Sequence, residues 1–254
     1  MEYPSLILAY GLVVAALLIS RYNDLNIERD LLYSSFRATL QLILVGFVLM
    51  AVFKIEQMGY LLLILTAMCL IAAVISGQRG EKIPGAFWIA FAGICAGSFS
   101  TFLVMYAAGV IQPEARFAIA LGGMIIGNAM KASSLTLNRL TGELDHQRAR
   151  IDNLLALGAT ARQAAAGPIR QAVRAAMIPT IDTLKTVGLV HLPGVMTGFI
   201  IAGGSPLTAV KYQLAVMYML AGAAAITSLI VALLAYRQCF NAELQLLDRF
   251  RPSG

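Results

Sequence analysis

The chain has 254 residues, of which 59% are hydrophobic and 13% charged, with a formal net charge of +6 and a mean hydropathy of +0.78. Soluble domains carry about 45–50% apolar and about 25% charged residues, so a soluble core of this length cannot hide the excess, and disorder needs the opposite bias. The composition implies an integral membrane protein, in which the basic balance is a matter of charge placement before it is a sign of nucleic acid.

Six runs contain no Lys, Arg, Asp or Glu: residues 4–20, 38–53, 57–78, 83–113, 186–210 and 212–236. A further run, 117–130, continues past Lys131 to Asn138 in apolar and hydroxyl residues. A helix crosses a hydrocarbon core of about 30 Å with roughly 20 apolar residues. The alternation of a β-barrel is absent, and helix is then the one way to satisfy the backbone in lipid. The expected fold is all-α: a polytopic transmembrane helical bundle of about seven spans, forming one membrane domain over residues 1–254.

In chain order, the first run follows Met1-Glu2-Tyr3, which lacks a basic n-region, so it reads as a retained span rather than a cleaved signal. The second opens on a polar insertion, Gln41. Cys69 and Cys95 lie inside the third and fourth runs and Cys239 just beyond the last, with no CxxC or Cys/His spacing, which fits helix packing better than zinc or disulfides. The fifth run holds Gly123 and Gly127 in a GxxxG pattern, which permits close helix approach. Its Asn128 must find a partner in another helix or a passing solute. Met124 and Met130 offer soft thioether ligands or ordinary packing, and Lys131 can snorkel.

The stretch 139–174 is charged, Ala-rich and helix-favouring, with Ile151, Leu154, Leu155 and Leu157 at helical spacing. Gly158 and Pro168 suggest interruptions, and the segment suits docking of a cytoplasmic partner, with a solvated linker as the alternative. Asp182 and Lys185 then stand three residues apart, able to pair on one helix face, and an ionisable pair at membrane depth is a candidate functional site. The competing reading is an interfacial anchor. The run 186–210 is broken by Gly188, Pro193, Gly194, Gly198, Gly203 and Gly204, a pattern tolerated at membrane depth where it faces protein or a water-filled cavity. His191, before the proline, is a secondary candidate for a ligand or gate, and His146 in the basic stretch is expected to be solvated.

Basic residues concentrate in loops 21–37, 79–82 and 139–174 and in the tail, whereas the alternate loops hold one each: Lys54, Arg116 and Lys211. By the positive-inside rule the first set is cytoplasmic, which puts the N-terminus outside and the C-terminus in the cytoplasm. No GxxxxGK[ST], HExxH or GxSxG occurs, so the chain does not cradle ATP phosphates and offers no hydrolase site.

Four blocks resemble one family in order along nearly the whole chain. Residues 37–46 (RATLQLILVG) resemble its R-A-x-x-Q-L-x-x-V-G, and residues 123–130 (GMIIGNAM) its G-M-I-x-G-N-A-M. Residues 155–160 (LALGAT) resemble its L-x-L-G-A-T, and residues 178–198 the long block I-P-T-x-D-x-x-K-T-V-G-L-V-x-L-P-G-M-M-[ST]-G. This is the family of Fet-type permeases, membrane subunits of an ABC transporter linked to iron export and similar to plant aluminium-tolerance permeases. Val195 departs from the pattern where the family has Met, leaving Met196 alone.

The resemblance implies a transport subunit that is no enzyme itself, located in a bacterial cytoplasmic (inner) membrane. Two copies would pair with two copies of a cytoplasmic ABC-type ATPase that uses ATP and Mg. The chain itself would bind no cofactor and no nucleic acid. The 155–160 block also resembles the coupling loop of ABC importer permeases. A coupling helix would run through residues 152–165, with Asp152, Leu157, Gly158, Ala159, Thr160 and Arg162 meeting the ATPase. Gln41, Asn128, Met130, Asp182, Lys185 and Met196 are candidates for the substrate path or its gating. Fe(III) prefers oxygen ligands and these spans offer few carboxylates, so metal ligands stay unassigned. A chelated metal or an organic solute fits as well. A self-sufficient secondary transporter using Asp182, or a membrane scaffold without transport, are the competing readings.

Overall fold

The computed structural model describes residues 3–52, 58–111, 114–190, 192–241, 245–247 and 250. They are organised as two compact units, Met1–Glu56 and Gln57–Gly254. No strand occurs among the described residues, only an isolated bridge between Phe240 and Leu246.

The first unit is a helical hairpin of α1 (Tyr3–Tyr22) and α2 (Glu28–Val52). Its turn uses Asp24 at φ 50° and Asn26 at φ 55°, the residue types that tolerate left-handed backbone because their short polar side chains bond locally. Two side-chain bonds join the helices: Ser20 Oγ donates to Glu28 Oε1 at 2.7 Å, and Tyr10 Oη and Thr39 Oγ1 lie 3.0 Å apart. Gln41 lies on α2 and is exposed within this unit. Lys54 lies outside the described residues.

The second unit comprises α3 (Met58–Gly77), α4 (Ala86–Ala107), α5 (Ala115–His146), α6 (Arg148–Ala156), α7 (Ala161–Ala164), α8 (Ala166–Thr186), α9 (Gly194–Ile201) and α10 (Pro206–Ala235). Helix α5 packs on α3, α4 and α8, and α10 packs on α4, α5, α8 and α9. Leu65, Ile94, Ile125, Leu137, Met219 and Val231 are almost wholly enclosed between them. The closest approach joins α4 to α10. A Cβ on Gly93 would strike the Val231 side chain, and one on Gly97 would strike Thr227 Oγ1 and stand 2.9 Å from the Ala223 carbonyl oxygen. In the Gly123–Gly127 pair, a Cβ on Gly123 would stand 3.2 Å from the Met68 methyl and one on Gly127 would meet nothing within 4 Å.

Among the described residues, five helices are long and apolar enough to cross a membrane: Glu28–Met50, Gly59–Gly80, Ala86–Ala107, Phe117–His146 and Pro206–Cys239. In the first run, Tyr10–Tyr22 is a shorter apolar helix. The run 186–210 breaks as its proline and glycines predict. Backbone turns close on the Thr186 carbonyl, Gly188 takes φ 81°, and α9 has only 8 residues, about 12 Å of rise.

Two details of the 139–174 stretch differ from expectation. Residues 139–146 extend the spanning helix α5 instead of starting a loop. Pro168 interrupts nothing, because it sits in the first turn of α8, where its missing N–H has no helical acceptor to lose.

Candidate functional site

A cavity of about 180 Å³ opens between α5, α8 and α10 of the second unit. Asn128, Lys131, Thr180 and Thr183 supply its polar lining, and Pro179, Leu184, Met217 and Leu220 are among its apolar walls. Asn128 is held in place: its Nδ2 donates to the Leu220 carbonyl on α10 at 2.8 Å, which leaves the side-chain oxygen without a described partner. The amide thus meets the requirement for an interhelical partner. Pro179 lies inside α8 and has no N–H, so the carbonyl of Ala175 one turn earlier loses its helical donor. Thr183 Oγ1 turns back to donate to the Pro179 carbonyl at 2.8 Å. The cavity therefore sits where the α8 hydrogen-bond ladder is weakest.

The other candidates distribute differently. Asp182 Oδ1 and Lys185 Nζ pair at 3.9 Å, with side chains 61% and 71% exposed, on α8 but away from the cavity lining. Met130 on α5 and Met196 on α9 are half-buried and do not line it either. His191 lies outside the described residues. Thr180 and Thr183 were not distinguishable in the sequence from ordinary helix hydroxyls. Gln213 on α10 carries the same signal as Asn128, a polar residue in an apolar run. It is 3% exposed, and neither amide atom has a partner among the described residues.

The second candidate element is the elbow between α6 and α7. In place of one helix through 152–165, two short helices meet at residues 157–160. Gly158 takes φ 86°, in the left-handed region. Gly158 N donates to the Leu155 carbonyl at 2.9 Å and Ala159 N to the Leu154 carbonyl at 3.0 Å, a Schellman closure that needs a glycine after the helix. Thr160 starts α7 with a capping box: its Oγ1 accepts from Gln163 N at 3.3 Å and its N donates to Gln163 Oε1 at 2.8 Å. Ile151, Ala164 and Ala165 are buried and anchor the elbow, while Leu157 at its tip is 85% exposed. Asp152 pairs with Arg148 at 3.6 Å, and Arg162 is exposed.

Contacts gather the basic segments of this unit at one end. Lys82 Nζ pairs with Asp145 Oδ2 at 2.5 Å, joining the α3–α4 connection to the end of α5. Arg148 donates to the carbonyls of Leu247 at 3.4 Å and Leu246 at 3.5 Å. Loop 79–82, the elbow and the residues after α10 thus share one end of the bundle, as charge sorting by side requires. Among the described residues no group of three His, Cys, Asp or Glu is placed to hold a metal ion.

Helices long and apolar enough to cross a membrane, with a partly polar cavity between α5, α8 and α10, define a multi-pass membrane protein. Residues 3–240 match the family described as "Uncharacterised protein family (UPF0014)", and the chain belongs to it. It is 42% identical over 243 residues to the probable iron export permease protein FetB of Escherichia coli (strain K12), covering 96% of this chain and 94% of that protein. It is 38% identical to the UPF0014 membrane protein STAR2 of Oryza sativa subsp. japonica, over 94% of this chain and 84% of that one. With the Arabidopsis thaliana protein ALUMINUM SENSITIVE 3 it shares 35% identity, over 94% and 87%. No solved structure matches the chain.

Proposed function

We propose that this chain is the membrane subunit of an ABC transporter in the bacterial cytoplasmic membrane, and that two copies work with a separate ATPase to export iron or another metal. The observation that carries the reading is the elbow. Leu157 stands 85% exposed at the tip of this capped helix–turn–helix, outside the apolar runs, and in this reading is the side chain that the partner covers. The chain has no phosphate-binding loop of its own, so energy from ATP and Mg has to enter through a partner. Leu157, Gly158, Ala159 and Thr160, with Asp152 and Arg162 beside them, form the docking surface in this reading. The cytoplasm then lies at the end of the bundle that carries the basic segments.

Iron enters the proposal from the relative named a probable iron export permease. The cavity favours a refinement of it: Lys131 and no carboxylate line the space, which suits a chelated metal or an organic solute better than a bare cation. Asn128, with Gln41, Met130, Asp182, Lys185 and Met196, completes the set of path and gating candidates. The test is reconstitution of both subunits in vesicles with ATP. ATP-dependent movement of iron that disappears with Gly158→Glu supports the proposal. Transport by the purified chain without an ATPase overturns it in favour of a secondary transporter, and absence of flux with both subunits leaves a scaffold.

A further inference from the structure

A second opening, of about 410 Å³, lies where α5 leaves its apolar run, lined by Arg139, Glu143, His146, Gln147, Arg150 and Gln171. Every lining side chain ends in a polar or charged group. Glu143 is the brace. Its side chain is 8% exposed and receives Arg139 Nη2 at 2.8 Å on Oε1 and Gln147 Nε2 at 2.7 Å on Oε2. The Gln171 amide from α8, set with its nitrogen toward the carboxylate, donates to both oxygens, to Oε1 at 2.9 Å. The one carboxylate is therefore saturated by groups that it orients.

What remains unspent is cationic. The Arg139 side chain is 58% exposed beyond its bond to Glu143, and Arg150 is exposed with no ion pair among the described residues. His146, also exposed, lines the same space. Two guanidiniums around an open polar space match a tetrahedral oxyanion, because their planar forks bond pairs of phosphate oxygens. The depth identifies which oxyanion. Arg139 directly follows Asn138, the end of the apolar run, and Glu143 is about 6 Å further along the helix axis; an apolar run that fills the hydrocarbon core would leave these residues at the level of the lipid headgroups. Basic pockets between spanning helices at this level take anionic headgroups.

We propose that this pocket binds the phosphate of an anionic phospholipid, with Arg139 and Arg150 as its ligands and Glu143 as the positioning residue for Arg139 and Gln171. The site is independent of the cargo and of any ATPase, so it stands or falls apart from the transport reading.

The test uses the full chain purified in neutral detergent. Bound lipid is counted by native mass spectrometry, and thermal unfolding is followed on addition of phosphatidylglycerol, phosphatidylcholine or inorganic phosphate. Phosphatidylglycerol is expected to bind and to raise the melting temperature where phosphatidylcholine does not. Removing one guanidinium should weaken that binding about fivefold, the equivalent of roughly 1 kcal/mol for a basic residue at an anionic surface. Arg150→Gln is the primary variant, since it breaks no protein contact, and Arg139→Gln is the companion that also releases Glu143. Equal binding of the two lipids, or unchanged phosphatidylglycerol affinity in Arg150→Gln, overturns the proposal. Saturation by inorganic phosphate with no lipid preference overturns the lipid as the source of the phosphate.

Discussion

The contact between α4 and α10 allows a sharp comparison of two glycines that look alike in the sequence. Gly97→Ala places a methyl against Thr227 Oγ1, 2.9 Å from the Ala223 carbonyl oxygen and 3.1 Å from Thr227 N. Rotating Thr227 relieves the first clash but not the other two, which are backbone, so the helices have to separate. Overpacking of this kind costs about 1–3 kcal/mol. Gly127→Ala, on α5, meets nothing within 4 Å. Both substitutions gain about 1 kcal/mol of helix propensity, which cancels in the difference. For a chain of this size about 1 kcal/mol corresponds to roughly 2–4 °C, so Gly97→Ala should melt roughly 2–12 °C below Gly127→Ala. Thermal unfolding of both proteins in the same detergent measures the gap. If Gly97→Ala melts at or above Gly127→Ala, the close α4–α10 approach is not the packing that holds this bundle.

Three further outcomes follow from the site. Leu157→Ser should leave the stability within about 0.5 kcal/mol of the parent, since the side chain is already exposed, while reducing recovery of the ATPase in co-purification; undiminished recovery removes Leu157 from the interface. Asn128→Ala deletes the 2.8 Å bond to the Leu220 carbonyl, worth about 0.6–2 kcal/mol between membrane helices, and should lower flux in vesicles as well. A lowered melting temperature with full flux would mark Asn128 as a helix clamp alone. Asp182→Asn should cost no more than about 0.5 kcal/mol, because an exposed i,i+3 pair contributes little. It is nevertheless expected to reduce transport without preventing membrane insertion, and normal metal resistance in cells carrying it would take the pair out of the path.

The parts of the fold legible in the sequence are those the bilayer enforces. Long charge-free runs had to be helices, because lipid leaves the backbone no other choice, and Pro193 with its surrounding glycines disfavours a helix carried through 186–210. Pairing of helices is another matter. Gly93–Gly97 and Gly123–Gly127 are the same pattern, and only the facing residues distinguish them: Val231, Thr227 and backbone at the first, the flexible end of Met68 at Gly123 and nothing at Gly127. At the elbow the interruption at Gly158 was legible from the glycine itself, and the left-handed glycine with the Thr160 cap makes two helices there; the single helix through 152–165 followed only from the resemblance to a coupling loop. At the cavity, charge drew the eye to Asp182 and Lys185. The lining instead takes the residues a turn or less away on another face of α8, Pro179, Thr180 and Thr183. A ladder defect and two hydroxyls carry too little signal in a string of letters.

Helix α8 ties the two candidate elements together. It begins at Ala166, directly after the capping residue that ends α7, and reaches Thr180 at the cavity after about 21 Å of continuous helix. On the way its buried positions are Pro168, Ala172 and Ala176, small side chains at helical spacing that leave α8 close to its neighbours α5 and α10 without interlocking knobs. Such a face resists bending less through side-chain collision than through its own hydrogen bonds, and those are interrupted at Pro179, at the level of the cavity. On the proposed reading, a push on Leu157 at the elbow therefore travels along a stiff rod and is released where the rod is weakest, beside Asn128 and Lys131. On that reading the elbow, through α7, and the cavity meet opposite ends of α8, which makes α8 the link between them.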